Sequence, residues 1–160
     1  MQPKIEMLEE KKLIGQKLRM SLAHNKTGEL WRSFMPRRGE IKNPAGPELF
    51  SVEVFGDPDY FRNFDPAREF EKWAAVAVAD FDVVPEGMES LIVPAGLYAV
   101  FHYKGRPSEA QPTFQYIYGQ WLPASGYLLD NRPHLAVMGA KYKGEDPESE
   151  EDLWIPVQKK

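Results

Sequence analysis

The stretch Pro94–Asp130, PAGLYAVFHYKGRPSEAQPTFQYIYGQWLPASGYLLD, decides the fold because it reads as a strand followed by a helix. Leu97–Tyr103 is rich in aromatic and branched residues, which favours a β-strand. A Gly-Arg-Pro turn over residues 105–107 interrupts the strand, and Pro123 ends the helix that follows. The chain is therefore expected to contain a strand-helix unit at its centre.

The predicted helix carries an unusual apolar stripe. Phe114, Ile117, Tyr118 and Trp121 recur at i, i+3, i+4 and i+7, which places all four on one helix face. Three of the four are aromatic, and Tyr118 and Trp121 each carry a polar tip. Such a face can pack as core against a sheet, or it can form one wall of a pocket.

Composition limits the class of protein. The 160 residues suit a single domain, expected over 1–160, and 42% of them are hydrophobic. No apolar run is long enough for a transmembrane helix, and the N-terminus lacks the apolar centre of a signal peptide, so a cytoplasmic protein with no membrane partner is expected. The net charge of −4 and the absence of a basic cluster argue against direct nucleic-acid binding.

The remaining segments alternate between strands and one further helix. The helix is expected to begin at Asn25 or Thr27 and to end near Met35, and a long loop over 56–68 carries Tyr60 and Phe61. Pro156 implies an edge position or the end of the last strand. A strand is predicted at Lys12–Met20, where Gly15 would weaken the alternative, a helix, that the Lys, Leu and Met residues also suit. Further strands are predicted at Leu49–Phe55, Phe70–Val84, Leu135–Tyr142 and Asp152–Val157.

The two halves of the chain repeat the same order of elements. Residues 4–83 and 89–157 each read as strand, helix, strand, strand, which suggests an internal duplication. The predicted fold is α+β, with duplicated strand-helix-strand-strand modules forming an antiparallel sheet that carries two helices on one face. A groove between two related modules is a common place for a ligand.

Four segments in this order resemble the GyrI-like small-molecule-binding domains: ELWRSF, IVPAGLYAVFHYKG, FQYIYGQWLPASGYLLDNRP and EEDLWIPV. These bacterial domains are the effector-binding part of AraC-type and multidrug-sensing regulators, and they also occur alone. The resemblance implies an aromatic pocket between the repeats that binds lipophilic, often cationic, compounds beside one acidic side chain. No helix-turn-helix segment precedes the domain in this sequence, so operator reading is not expected.

Asp152 is the first candidate for the acid. It lies two residues from Trp154 on the last strand, so both side chains project to the same face. A bound cation offsets the cost of burying the carboxylate, and an aromatic wall adds cation–π attraction of roughly 0.5–2 kcal/mol. Glu151 points to the opposite face and takes the role if the register slips. The alternative is an exposed acid beside a core Trp154.

Aromatic residues supply the other candidates for the pocket. Phe101 and Tyr98 lie on opposite faces of one strand, and Phe101 is preferred. Core packing is the alternative role for each of these residues. The predicted ligand-binding residues are Trp31, Phe34, Trp73, Phe101, Tyr118, Trp121, Asp152 and Trp154.

The leading hypothesis is a stand-alone sensor or sequestering protein for lipophilic cations, with no cofactor. Metal binding is not expected, because the three histidines are scattered. Two further hypotheses follow from the resemblance, since some GyrI-like proteins hydrolyse cyclopropane-bearing toxins and others inhibit DNA gyrase. A hydrolase would use Asp152 with the Tyr118 hydroxyl, and an inhibitor would use the acidic loop at 145–152.

Overall fold

The computed structural model describes residues 2–57, 59–62 and 64–160. Met1 of the expected domain, together with Pro58 and Asn63 of the expected long loop, lies outside these described residues. None of the helices in these ranges has the length and apolar content that a membrane crossing requires.

Strands and helices alternate along the described ranges. Helix α1 spans Thr27–Phe34 and continues into a 3₁₀ turn over Met35–Glu40, and a short 3₁₀ turn spans Pro107–Glu109. The second helix has three consecutive parts, namely α2 (Gln111–Tyr116), a π-helical turn (Ile117–Trp121) and a last turn (Leu122–Ala124). The strands are β1 (Lys4–Leu8), β2 (Lys11–Met20), β3 (Leu49–Val54), β4 (Phe70–Val78), β5 (Glu89–Val93), β6 (Gly96–Lys104), β7 (Tyr127–Leu129), β8 (His134–Met138) and β9 (Glu150–Lys159).

Two short connections bring the ends of the sheet together. The strand order is β1-β6-β9-β8-β3-β4-β2-β5, with β7 pairing separately to β9, so β1 and β2 stand far apart in that order. Yet only Glu9 and Glu10 separate β1 from β2 in the chain, and only Pro94 and Ala95 separate β5 from β6. The three Cα steps from Leu8 to Lys11 span at most about 11 Å. The sheet must therefore curl until its two ends meet.

The strand register shows how the curled sheet closes. Leu8 pairs with Gly96 in the β1–β6 ladder, and Lys11 pairs with Val93 in the β2–β5 ladder, so the register continues without a shift. β1 and β2 thus act as one long strand, β5 and β6 act as a second, and the two run antiparallel along each other. With β3, β4, β8 and β9 they form a six-stranded barrel.

Side chains fill the barrel interior. An eight-stranded barrel is just wide enough to be filled by side chains or to hold one small ligand, and six strands enclose less space. The inner face of the barrel therefore forms a core rather than a ligand cavity. The buried residues of this interior cluster are Leu8, Leu13, Phe50, Val52, Trp73, Ala75, Val93, Tyr98 and Leu135.

Both helices pack on the outer face of the barrel, and each covers the strands of its own module. Leu30 and Phe34 of α1 pack on β2 and β4, and Ile117 of the second helix packs on β6 and β9. The predicted stripe is confirmed, since Phe114, Tyr118 and Trp121 pack in the same cluster as the buried Ile117. The α+β fold with two strand-helix-strand-strand modules is confirmed as well.

Several strand boundaries differ from the prediction, and two predicted strands end early. β4 ends at Val78 instead of Val84, because Asp80 begins a turn in which its carboxylate accepts hydrogen bonds from the Asp82 N–H and the Asn43 amide. β8 ends at Met138 instead of Tyr142, where a Gly139–Tyr142 backbone hydrogen bond closes a turn. Strands β5 and β7 are absent from the prediction.

Pro156 lies inside the longest strand of the second module, so the prediction of an edge position or a strand end was wrong. Pro156 pairs with Tyr98 of β6 on one side, and on the other side it lies between the last β8 pair at Trp154 and the first β7 pair at Val157. Its carbonyl accepts a hydrogen bond from the Asp130 N–H in that gap. Neither β7 nor β8 pairs with β9 at this position, so the missing backbone N–H of proline costs no hydrogen bond on this side of the strand.

Gly15 provides a test of the barrel closure. It pairs with Ala75 of β4 and with Glu89 of β5, and a Cβ at Gly15 would lie 2.0 Å from the Ala74 carbonyl oxygen. Because the contact is with backbone, we expect Gly15→Ala to lower the free energy of unfolding by about 3 kcal/mol or more. Chemical denaturation measures this change.

The matched control is Gly119→Ala in the second helix, where nothing lies within 4 Å of an added Cβ. Its stability is expected to stay equal or to rise by about 0.4–1 kcal/mol. Equal stability of the Gly15→Ala and wild-type proteins would contradict the tight strand contact.

Candidate functional site

A polar strip separates the two helix-covered clusters on the outer face of the barrel. We call it the central strip and define it by Ser51 and Glu53 of β3, Lys72 of β4, His134 and Ala136 of β8, and Glu151 of β9. The ladders place these side chains on one face, because Ser51 is opposite Ala136, and Glu53 is opposite both His134 and Lys72. The strip lies at the junction of the two modules.

Three charged side chains lie on this strip. The Lys72 Nζ is 3.9 Å from a Glu53 carboxylate oxygen, and only 12% of the Lys72 side chain is exposed. Burial raises the pKa of the Glu151 carboxyl, while the charge of Lys72 opposes that rise. Two acids and one lysine thus share a partly desolvated surface, whose net charge is negative.

The long loop between β3 and β4 contributes rings to one end of the strip. The Phe61 ring stacks on Tyr118 at a centroid distance of 4.5 Å and an interplanar angle of 23°. It also stacks on His134 at 5.6 Å, and the edge-on ring of Phe55 is 4.8 Å away. Tyr60, only 1% exposed, anchors the loop by packing on Phe55 and Phe70.

Tyr118 and His134 form a buried polar pair beneath these rings. A 3.0 Å hydrogen bond joins the Tyr118 hydroxyl and His134 Nδ1. Burial, with the Arg132 charge as a second cause, lowers the pKa of His134 to about 3. Burial, with the Glu53 charge as a second cause, raises the pKa of Tyr118 well above its usual value. Both groups are therefore neutral at physiological pH.

A cleft opens beside the ring cluster. Its volume is about 110 Å³, and Phe55, Phe61 and His134 form its apolar side while Asp57 and Asp130 line its rim. Pockets for drug-sized ligands hold about 300–1,000 Å³. The cleft is therefore too small for a ligand of that size, and Phe61 forms part of its wall.

Five of the eight predicted ligand-binding residues lie on the outer face of the barrel. Phe34 of α1 is fully buried between that helix and the barrel wall, and Trp31 is half-buried against it. Phe101 of β6 is fully buried beneath the second helix. Trp121 packs edge-on against Phe101 at 5.2 Å, away from the ring cluster. Of the five, Tyr118 is the one that contacts both Phe61 and His134.

The other three predicted residues lie on the opposite face. Trp73 and Trp154 belong to the barrel interior, where Trp154 packs edge-on against Tyr98 at 5.8 Å. Asp152 projects from the same face of β9 at the barrel mouth. Trp121 and Trp154 therefore cannot border one cavity, and Asp152 does not converge with the Tyr118 hydroxyl as the hydrolase hypothesis required.

Asp152 has a partner that the prediction did not foresee. His102 Nδ1 is 2.8 Å from the Asp152 carboxylate, and His102 Nε2 is 2.7 Å from that of Glu150. Glu151, between the two, points to the opposite, outer face because side chains alternate along β9. The acid of β9 that faces the central strip is therefore Glu151. Glu151 is the alternative to Asp152 that the sequence also offered.

Sequence reasoning also missed Glu53, Lys72 and His134. The signal was a charged residue in the middle of an apolar strand, as in LFSVEV and FEKWAAVAV. Such residues are rarely buried unless they are paired. His134 had no local signal, because its burial depends on the loop rings that reach it from β3–β4. Within the described ranges, no three His, Cys, Asp or Glu residues are grouped in a way that could hold a metal ion.

The duplicated modules and the strip between them define a small-molecule-binding domain. The chain belongs to the GyrI-like small molecule binding domain family, whose model matches residues 1–158. Among curated proteins it is similar to the transcriptional regulator BrlR of Pseudomonas aeruginosa, with 32% identity over 146 residues. That match covers 91% of this chain and 51% of BrlR, so the chain spans about half the length of this relative.

Solved structures share the fold. SAV2435 bound to tetraphenylphosphonium matches with a TM-score of 0.74 and 13% identity over 99% of this chain and 94% of that chain. A hydrolase encoded by lin2189 of Listeria innocua matches with a TM-score of 0.59 and 14% identity over 98% of this chain and 92% of that chain.

The His102 contacts make a contribution to stability that depends on pH. Asp152 first, and Glu150 second, raise the pKa of His102 above 6.5, so this contribution is complete below pH 6.5 and is lost as pH rises through the raised pKa. His102 lowers the pKa of Glu150 below 4.5, so that contribution is lost as pH falls through the lowered value. Stabilisation is therefore largest between pH 4.5 and pH 6.5.

We expect His102→Gln to lower the free energy of unfolding by no more than about 1 kcal/mol in that window, because the pairs are exposed. The loss should shrink toward about pH 9, where the imidazole is neutral in both states. Urea denaturation within that window and at about pH 9 measures the loss of stability, with His24→Gln as the control. A loss that grows with pH would contradict the assignment.

Proposed function

We propose that the central strip binds a lipophilic organic cation, with Glu151 and Glu53 attracting the charge and Tyr118, once Phe61 is displaced, contacting its aromatic groups. The observation that carries the proposal is the half-buried acid Glu151 on the outer face, since an aromatic cation would offset its desolvation. The tetraphenylphosphonium bound to SAV2435, which has the same fold, supports this ligand class.

The binding module acts as a sensor or sequestering protein in this proposal. A sensor role is supported by the similarity to the regulator BrlR, and sequestration needs nothing beyond the site itself. Hydrolysis by Asp152 with Tyr118 gains no support from the geometry, because the two side chains lie on opposite faces of the barrel wall. Inhibition of a larger enzyme such as gyrase through the acidic 145–152 loop stays a prediction.

Tetraphenylphosphonium binding tests the proposal through the acids. We expect Glu151→Gln and Glu53→Gln each to weaken binding by about tenfold or more, which corresponds to about 1.4 kcal/mol of lost charge interaction. Asp152→Asn is the matched control on the next residue of the same strand, and it should bind like the wild type because its side chain faces the barrel mouth. Isothermal titration calorimetry measures all four proteins.

Two outcomes would overturn the proposal. One is the absence of binding of any lipophilic cation by the wild type. The other is a loss of binding in Asp152→Asn with none in the two Gln variants, which would place the charge site on the inner face instead.

Phe61 provides a second, independent test. Its ring stacks on both Tyr118 and His134, so a ligand that stacks on Tyr118 at this place must first displace it. An aromatic stack is worth about 0.5–1.5 kcal/mol, and we expect Phe61→Ala to tighten tetraphenylphosphonium binding by roughly three- to tenfold. Phe64→Ala is the control, since this ring of the same loop is 52% exposed. Weaker binding by Phe61→Ala would instead make Phe61 a wall of the site.

A further inference from the structure

Lys72 is an unusual residue for its position in the barrel. It lies in FEKWAAVAV, the otherwise largely apolar strand β4, and its side chain is 12% exposed. The ladder pairs it directly with Glu53, and the ammonium group is 3.9 Å from the Glu53 carboxylate. A lysine with so little exposure is rarely found without a charged partner.

Lys72 acts on both acids of the central strip. It pairs with Glu53, and it is the charged group with the largest effect on the carboxyl of Glu151. The other titratable groups of the strip and its ring cluster, His134 and Tyr118, are neutral. Two negative charges and one positive charge therefore leave the strip with a net charge of about −1.

We infer that Lys72 sets the charge class of the ligand, so that the strip accepts a monocation and rejects a dication. This inference rests on the proposed function. A desolvated site is most stable when its charges are balanced, because an unpaired buried charge is costly. One ligand charge balances the strip, whereas a second charge would lie beside the Lys72 ammonium and would be repelled by it.

Two dyes with the same ring system separate charge from shape. Ethidium carries one positive charge, and propidium carries a second on a short side chain attached to the same phenanthridinium ring. We expect the wild type to bind ethidium more tightly than propidium. Removal of the ammonium by Lys72→Met makes the net charge of the strip more negative, from about −1 to about −2. The ratio of the two dissociation constants should then shift toward propidium by about tenfold or more.

A double variant distinguishes charge balance from space. Glu53→Gln combined with Lys72→Met returns the strip to a net charge of about −1 while the lysine remains absent. We expect this variant to recover the wild-type preference for ethidium. A steric role for Lys72 would leave the double variant with the altered preference of Lys72→Met.

Lys17→Met is the matched lysine control. Lys17 also pairs with two acids, Glu71 and Glu89, but it lies over Trp73 on the inner face of the barrel. Its removal should leave the ratio of the dissociation constants unchanged. Lys72→Gln replaces Lys72→Met if thermal unfolding shows that the methionine variant does not fold.

The results separate this inference from the proposed function. A ratio that stays within about threefold in the folded Lys72 variants, while both dyes bind, overturns the inference and leaves the proposed function standing. Failure of the double variant to recover the ethidium preference also overturns the inference. If the wild type binds neither these dyes nor tetraphenylphosphonium, the proposed function and the inference fall together.

Discussion

The structure depends on the antiparallel pairing of two long strands, residues 4–20 and 89–104, which is nearly continuous across the short breaks within them. Each long strand begins one module, and its first part pairs with the other module: β1 pairs with β6, and β5 pairs with β2. The modules are therefore joined by these two ladders as well as by the central β3–β8 ladder. Because one register runs through both parts, the inner faces of all the strands turn toward each other. A six-stranded barrel leaves no room there, and its own side chains fill it.

Closure of the barrel decides which surface can hold a ligand. Once the inner face is a core, the charged His102 contacts that face inward lie at the barrel mouth. The outer face is different, because each helix is short and covers only its own module. The strip between the helices has no helix of its own, so it can carry charged residues that neighbouring acids, a lysine and the loop rings partly shield from water.

Local patterns explain which features the sequence predicts. The helix stripe from Phe114 to Trp121 follows from a 3.6-residue period that needs no knowledge of tertiary structure. A two-residue period assigns Asp152 and Glu151 to opposite faces of β9 but does not say which face the helices cover, so the choice between the two acids needs the tertiary structure. Barrel closure is equally invisible to local patterns, because the two-residue links reveal it only after the long-range register is known.

The Glu53–Lys72 pair is better explained by binding than by stability. A buried ion pair contributes little, because desolvation of both groups offsets their attraction, and replacement by apolar side chains of similar size is often neutral or stabilising. Neighbouring rows of the same outer face hold Ala74, Val76 and Ile14, so apolar residues would fit the barrel wall. The pair instead adds its charges to a strip that contains one further acid, Glu151, and stacked rings. The combination leaves one negative charge beside an aromatic surface, which is the arrangement that a lipophilic cation complements.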